Sequence, residues 1–380
     1  MKILHVVGAR PNFVKTAPLM AEMARHAEAF EQVLIHTGQH YDDNMSRIFF
    51  EDLDIPAPDH YLNVGGGAGG GTHSEQTARI MLAFEPVLLQ HRPDWVIVVG
   101  DVNSTLACAL VCAKLGVRVA HVEAGLRSWD RTMPEEINRL LTDQVSDLLF
   151  TPSRDADANL LREGIPPRQI HFVGNVMIDT LVRMLPKALE RPVLAGLGLV
   201  SGSYVLVTLH RPSNVDHPQT LQEILAALEQ ISQHWPVIFP VHPRTRKNIE
   251  LFGQTRSDTV PRPGDRPGFR LLEPLGYLDF LALVNSAAFV LTDSGGIQEE
   301  TTYLGVPCLT VRPNTERPVT IQAGTNRLVD STSPSILRAV EQVSPGKRAG
   351  LCPPEFWDGA AARRIVQVML EQVKKKGRMV

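Results

Sequence analysis

The sequence predicts an α/β fold of two doubly wound parallel-sheet domains that face each other across a cleft. Three observations point there. At 380 residues the chain is longer than one hydrophobic core commonly serves, which favours two domains of roughly 100–200 residues each. Short apolar runs alternate with segments of helical period along most of its length. Those runs are continuously apolar rather than alternating, as strands covered on both faces are.

The first series opens with KILHVVG (2–8), the helix-period PNFVKTAPLMAEMARH (11–26) and EQVLIHTG (31–38). It continues through DWVIVVGD (94–101), STLACALVCAKLG (104–116), VRVAHVEAG (117–125), EEINRLLTDQVSD (135–147) and LLFTPS (148–153). Residues 1–181 thus read as one βα domain. After HFVGNVMIDTL (171–181), the stretch 182–200, rich in Pro, Leu and Gly, is the hinge candidate. A second βα domain over 200–358 is built from SYVLVTLH (203–210), TLQEILAALEQISQHW (220–235), VIFPVHP (237–243), FRLLEP (269–274), YLDFLALVNSA (277–287), AAFVLTD (287–293) and VPCLTVR (306–312). The last helix, 359–380, is expected to pack back on the first domain.

Composition narrows the function. The formal net charge is −3 with Lys and Arg dispersed, so there is no electrostatic footprint for nucleic acid or an anionic membrane. No apolar run approaches the roughly 20 residues of a membrane span, and MKILHVV runs straight into GARPNFVK, unlike a signal peptide. A cytoplasmic protein with a small-molecule substrate is expected. The cysteines at 108, 112, 308 and 352 form no CxxC and read as small core residues of a reducing compartment, and the 13 histidines show no ligand spacing such as HExxH. Neither a metal nor NAD is expected as a cofactor. The glycines of VGGGAGGGT (64–72) lack the partners of a dinucleotide fingerprint and read as a flexible loop.

Chemistry gathers where strands end. TDSGGIQEE (292–300) reads as strand, glycine turn and helix start. Such a turn aims backbone N–H groups and the positive end of a helix dipole at one point, and an anionic group, most naturally a phosphate, suits it. Glu300, one turn into the helix, offers acceptors for ribose hydroxyls. The alternative is an ordinary turn with Ser294 as N-cap. Arg10 and Lys15 lie just beyond the first strand, and Lys15, near a helix N-terminus, opposes the dipole and should have an anionic partner. Asp101 and Glu123 each follow an apolar strand and should sit at the mouth of the sheet. Glu135 opens a helix after Pro134 and, taken singly, reads as a dipole partner. His210 and Arg211 end another strand, His242 a further one, and Arg317 in RPNTERP lies near the proposed phosphate turn.

GARPNFVKTAPL, TGQHYD, GDVNSTLA, HVEAGLRS, MPEEINR, VTLHR, VHP, DSGGIQEE and TERP, in this order, cover nearly the whole chain. Together they resemble the non-hydrolysing UDP-N-acetylglucosamine (UDP-GlcNAc) 2-epimerases, whose two Rossmann-like domains are similar to those of GT-B glycosyltransferases. The resemblance implies that Arg10, Lys15, Asp101, Glu123, Glu135 and His210 are catalytic-cleft positions. It implies that Arg10, Ser294, Gly295, Gly296, Glu300 and Arg317 bind UDP, with Leu275 and Phe280 lining the uracil pocket. It further implies a homodimer in cell-surface polysaccharide biosynthesis that converts UDP-GlcNAc to UDP-N-acetylmannosamine by elimination of UDP and re-addition. Alternatives are 2-epimerisation of a related UDP-sugar such as a diacetamido-uronic acid, a hydrolysing epimerase, a GT-B glycosyltransferase and a non-catalytic nucleotide-sugar sensor. Members activated by their own substrate at a second site carry an Arg-Gln pair where this chain has its glycine loop, and a different run after Gln39-His40. Activation of that kind is not expected here.

Overall fold

The computed structural model describes residues 1–38, 52–64, 71–252, 268–346 and 352–377. TGQHYD beyond Gly38 and the glycine loop at 65–70 lie outside the described residues. The chain forms two compact units, Met1–Arg183 with Glu355–Val380, and Met184–Pro354.

The first unit is built on strands β1 (Lys2–Val7), β2 (Glu31–His36), β3 (His60–Tyr61), β4 (Trp95–Val99), β5 (Arg118–Val122), β6 (Leu148–Thr151) and β7 (Ile170–Phe172). Among the described residues these form a parallel sheet in the order β3-β2-β1-β4-β5-β6-β7. The continuous apolar runs have the expected cause. Ile3, Trp95, Ile97 and Val99 enter one core with Leu19, Met23 and Ile365, while their neighbours Leu4, Val96 and Val98 enter another with Ile80, Phe84 and Val111. The direction of winding reverses between β1 and β4, and a crevice at the carboxyl ends of such a pair is where open α/β sheets place ligands.

The C-terminal segment is part of this unit. Helix Ala361–Gly377 buries Ala361, Ala362, Ile365, Val366 and Met369 beside Ile3, Leu19 and Trp95. Its first amides, on Ala361 and Ala362, donate to the Asp179 carboxylate at 3.1 and 2.7 Å, a cap supplied from a different helix. Upstream, buried Trp357 donates from Nε1 to the Pro152 carbonyl at 2.9 Å. Phe356 stacks on Phe172 with centroids 4.9 Å apart, and Arg154 and Arg364 cover the outer faces of the pair.

The second unit carries β8 (Val205–Thr208), β9 (Val237–Pro240), β10 (Phe269–Leu272), β11 (Phe289–Thr292), β12 (Cys308–Val311) and β13 (Asn326–Val329). They form a parallel sheet in the order β10-β9-β8-β11-β12-β13, with its reversal between β8 and β11. Val205, Val207, Phe239, Phe289 and Leu291 form its core with Leu221 and Leu228 of helix Pro218–Ile231. The fold class is therefore as the sequence predicts, α/β with two doubly wound parallel sheets.

Two local expectations differ. The stretch 182–200, read as a linker, is helical over Val176–Leu189 and Val193–Gly196. Leu181, Met184 and Ala188 recur at helical spacing and are buried, so packing carries the helix through Pro186. Cys108, Cys112 and Cys308 are buried as expected, but Cys352 is exposed, because it lies in an irregular segment before the C-terminal helix rather than on an apolar face. No helix among the described residues is long and apolar enough to cross a membrane.

Removal of the buried indole tests the return of the chain to the first unit. Trp357→Ala should destabilise that unit by about 3–5 kcal/mol, the cost of a large cavity plus an orphaned carbonyl, read as a lower urea midpoint by circular dichroism. An unchanged midpoint would show that this segment adds nothing to the first core.

Candidate active site

At the β1/β4 reversal, the loop after β1 is set by Asn12. Its Oδ1 accepts from the Gly8 and Ala9 amides, both at 3.0 Å, and its Nδ2 donates to the Val99 carbonyl at 2.9 Å, tying that loop to the end of β4. Arg10 begins helix Arg10–Ala24, and its side chain lies outside the described part of the structure. Lys15, one turn on, is buried, and its Nζ lies 2.7 Å from Glu123 Oε2. The anionic partner expected for Lys15 is thus a carboxylate that sequence reading had singled out separately. Glu123 holds a left-handed φ of 73°, rare for a residue with a Cβ. Its amide and that of Ala124 both donate to the Phe150 carbonyl at 3.0 Å, which fixes the turn that points Glu123 at Lys15. Gly100 is also left-handed, at 69°, and a Cβ there would sit 3.0 Å from Lys15 Nζ.

Asp101 and Glu135 complete the set. Helix Pro134–Val145 carries Glu135 and Glu136 in its first turn. Glu135 is half-exposed, and its side chain makes no hydrogen bond or ion pair among the described residues. Glu136 is buried and accepts from the Ser128 amide and hydroxyl at 2.9 Å and from the Trp129 amide at 3.0 Å. Arg139 binds Glu136 and also reaches Asp101 Oδ2 at 2.5 Å. Burial alone would push the Glu136 carboxyl up, but the Ser128 amide and the Arg139 guanidinium outweigh it and hold the pKa below the usual range. Asp143, further along the helix, accepts from the Gly125 amide at 3.1 Å and pairs with Arg127 and His121. His121 Nε2 faces the Gly100 carbonyl at 2.7 Å. Burial works against Asp143 ionisation as well, and His121 and Arg127 overcome it. Asp101 and Glu123 thus each face a cation, on loops held by one helix.

The second cluster lies at the β8/β11 reversal. Asp293, directly after β11, is fully buried and accepts from the His210 amide at 3.1 Å from each oxygen, the Arg211 amide at 2.9 Å and Asn214 Nδ2 at 3.1 Å. His210 Nδ1 lies 3.0 Å from the same carboxylate, and the ring is otherwise exposed. Burial opposes a charge on Asp293, but His210 and these donors keep its pKa low. Ser294 is the N-cap of helix Gly295–Leu304 yet makes no side-chain capping bond, so the first-turn amides receive no side-chain acceptor from it. Gly295 packs so closely on Arg317 and Glu316 that a Cβ would collide with both. Arg317 is ion-paired to Glu299 at 2.8 Å and to Glu316, and Glu316 also binds Arg312 at 2.7 Å. Despite burial, Arg317, Arg312 and Arg211 hold the Glu316 carboxyl well below its ordinary pKa.

Glu300 contrasts with these. It is buried, accepts from the Tyr277 hydroxyl at 3.2 Å through Oε1, and among the described residues leaves Oε2 without a hydrogen-bond partner. Burial pushes its pKa up to about 7, against the Tyr277 bond. A buried, unpartnered carboxylate oxygen has a reason to exist if a hydroxyl of a ligand completes it. Leu275 and Phe280 flank the Tyr277 end of helix Tyr277–Ser286 and are half-buried. Gly296 is half-buried in the first turn of helix Gly295–Leu304.

Sequence reading missed the supporting residues Asn12, His121, Glu136, Arg139, Asp143, Tyr277, Asp293 and Glu316. Asp293 and Glu316 carried a signal, an acid directly after a strand and an acid among arginines. The others are told from ordinary helix or strand residues only by their contacts. Among the described residues no group of three or more His, Cys, Asp or Glu side chains is arranged to hold a metal ion.

Comparison with known proteins identifies the family. The family profile described as UDP-N-acetylglucosamine 2-epimerase matches residues 22–370. The UDP-N-acetylglucosamine 2-epimerase of Methanocaldococcus jannaschii is 42% identical over 377 residues, covering 97% of this chain and 99% of that protein. The UDP-2,3-diacetamido-2,3-dideoxy-D-glucuronate 2-epimerase of Pseudomonas aeruginosa is 41% identical over 373 residues, with the same coverage of 97% and 99%. The crystal structure of the M. jannaschii UDP-GlcNAc 2-epimerase in complex with UDP-GlcNAc and UDP superposes with a TM-score of 0.88 at 42% identity, covering 98% of this chain and all of that one. With a profile match over most of its length, two GT-B-like sheets and relatives above 40% identity, the chain belongs to the UDP-N-acetylglucosamine 2-epimerases, a family of isomerases.

Proposed function

We propose that this protein inverts C2 of UDP-GlcNAc to give UDP-N-acetylmannosamine, by elimination of UDP and re-addition. The observation that carries this is the gathering of Asp101 and Glu123, each opposite a cation, at the reversal of the first sheet, on loops held by the helix that carries Glu135. The C2 hydrogen has no neighbouring carbonyl to acidify it, so the C1–O bond must weaken first. Positive charge then builds on the ring, and anionic carboxylates stabilise it. In the elimination a carboxylate takes the C2 proton, the C1–O electron pair leaves on the UDP β-phosphate, and a C1=C2 double bond forms. In the return step a proton reaches C2 from the opposite face while the β-phosphate oxygen rebinds C1, so the sugar changes only in configuration.

Retention of UDP falls to the second unit on this proposal. The 294–296 turn and Arg317 hold the diphosphate, His210 meets the charge of the leaving group, Glu300 accepts from the ribose, and Leu275 and Phe280 flank the base. The family resemblance adds Arg10 to the UDP-binding residues. Bond making and breaking of this kind needs neither NAD nor a metal. Family resemblance supports a cytoplasmic homodimer that supplies cell-surface polysaccharide synthesis. The near-equal identity of the P. aeruginosa relative supports a second reading, in which the sugar is a diacetamido-uronic acid.

Proton NMR with each UDP-sugar in deuterated water identifies the substrate, and epimer carrying deuterium at C2 is the expected product. Product without deuterium would exclude loss of the C2 proton. Asp101→Asn and Glu123→Gln should each lower kcat by about 10²–10⁴-fold, in the range of lost acid–base and electrostatic catalysis, while the Kd for UDP stays within about twofold. A parallel loss of UDP affinity would move these residues from the sugar to the nucleotide. Protonation of Glu300, whose pKa is near 7, removes its capacity to accept two hydroxyls. UDP affinity measured by calorimetry should therefore weaken as pH falls through about 7, approaching tenfold per pH unit, and the difference from Glu300→Gln isolates this from the titration of the diphosphate. Superimposable profiles for wild type and Glu300→Gln would remove the ribose role.

A further inference from the structure

We propose that Arg139 is a positioning residue for Asp101 in the reaction proposed above, and that Glu136 holds it to that task. Arg139 is 1% exposed, so it cannot reach a ligand itself. Its Nε and Nη2 donate to Glu136 Oε2 at 3.0 and 2.6 Å, and Nη2 lies 3.3 Å from Ser128 Oγ. A planar guanidinium gripped along one edge has no freedom left, and its remaining nitrogen, Nη1, meets Asp101 Oδ2 at 2.5 Å. The Asp101 side chain is 23% exposed and is therefore the member of this chain that a substrate can touch.

The same helix also fixes the Asp101 backbone. Asn138 Nδ2 donates to the Asp101 carbonyl at 2.9 Å and to Asn103 Oδ1 at 3.1 Å. Adjacent residues 138 and 139 therefore hold main chain and side chain of one carboxylate. Nearby charged groups of the described residues have partners of their own. Lys15, from helix Arg10–Ala24, pairs with Glu123 after β5, and His121, from β5, faces Asp143, which also binds Arg127. Burying Arg139 and Glu136 together is costly, and apolar residues at both positions would keep the helix packed at lower cost. What the guanidinium adds is a fixed orientation toward Asp101.

The experiment uses the full chain with Arg139→Gln and Arg139→Lys. Arg139→Gln should lower kcat for UDP-GlcNAc about 100-fold, the scale of a misplaced catalytic group, with KM and the Kd for UDP within about threefold. Arg139→Lys should recover at least about tenfold of that loss, because a charge returns without the fork. In aspartate-labelled protein, the 13C carboxyl resonance of Asp101 should titrate with a midpoint about one pH unit higher in Arg139→Gln than in wild type. An unmoved midpoint, a kcat within about threefold of wild type, or a loss confined to KM overturns the assignment. If Arg139→Gln does not fold, the paired Glu136→Gln/Arg139→Gln variant, which leaves no buried charge unmatched between the two, is read the same way. Should wild type fail to epimerise UDP-GlcNAc, the proposed reaction falls, while the Asp101 titration, which needs no turnover, still decides the role of Arg139.

Discussion

Backbone amides that lose their ladder partners where parallel strands end are the constraint on which both clusters depend. Each such amide, once buried, needs an acceptor. Asn12 supplies one for Gly8 and Ala9, Asp143 for Gly125, Glu136 for Ser128 and Trp129, and Asp293 for His210 and Arg211. In each case one buried side chain sets the path of the loop, and the loop then sets the candidate reacting group. Carboxylates are well suited because they accept several bonds at once and gain from each.

The cost of this arrangement is buried charge, and its sign is balanced locally. Glu136, Asp143, Asp293 and Glu316 all lie where burial would raise their pKa, and all are held low by cations or amides. Removing one partner from such a pair is far more damaging than removing both. Glu300 is the exception, which among the described residues faces no cation and keeps an unbonded oxygen. Both oxygens of each of those four carboxylates are bonded, and the carboxylate proposed to meet the nucleotide is left short of a bond.

Much of this was legible in the sequence, for a physical reason. Continuous apolar runs followed by Gly, Asp, Glu or His report strand ends, so Asp101, Glu123 and His210 could be placed at sheet edges from spacing alone, and the opposed dipole at Lys15 demanded a partner before Glu123 was known to be it. The left-handed turn at Glu123 was not legible, because a non-glycine residue carries no mark of positive φ. Nor was the division between Glu135 and Glu136. Adjacent residues of a helix differ by about 100° in direction, and which one faces the core depends on packing set by distant residues. The helical character of 182–200 was masked by its Pro and Gly content, which buried Met184 and Ala188 outweigh.

The Phe172–Phe356 stack and the Trp357 anchor bear on the order in which the molecule can be completed. Domains generally fold from the N-terminal side as the chain emerges during synthesis. Here one face of the first sheet lacks part of its covering layer until Ala361–Met369 arrives, which follows the whole of the second unit in the chain. Translation must therefore deliver the second unit while Ile3, Leu19 and Trp95 still await their last neighbours. That interval exposes an incomplete apolar face, and it ends only as the closing helix leaves the ribosome.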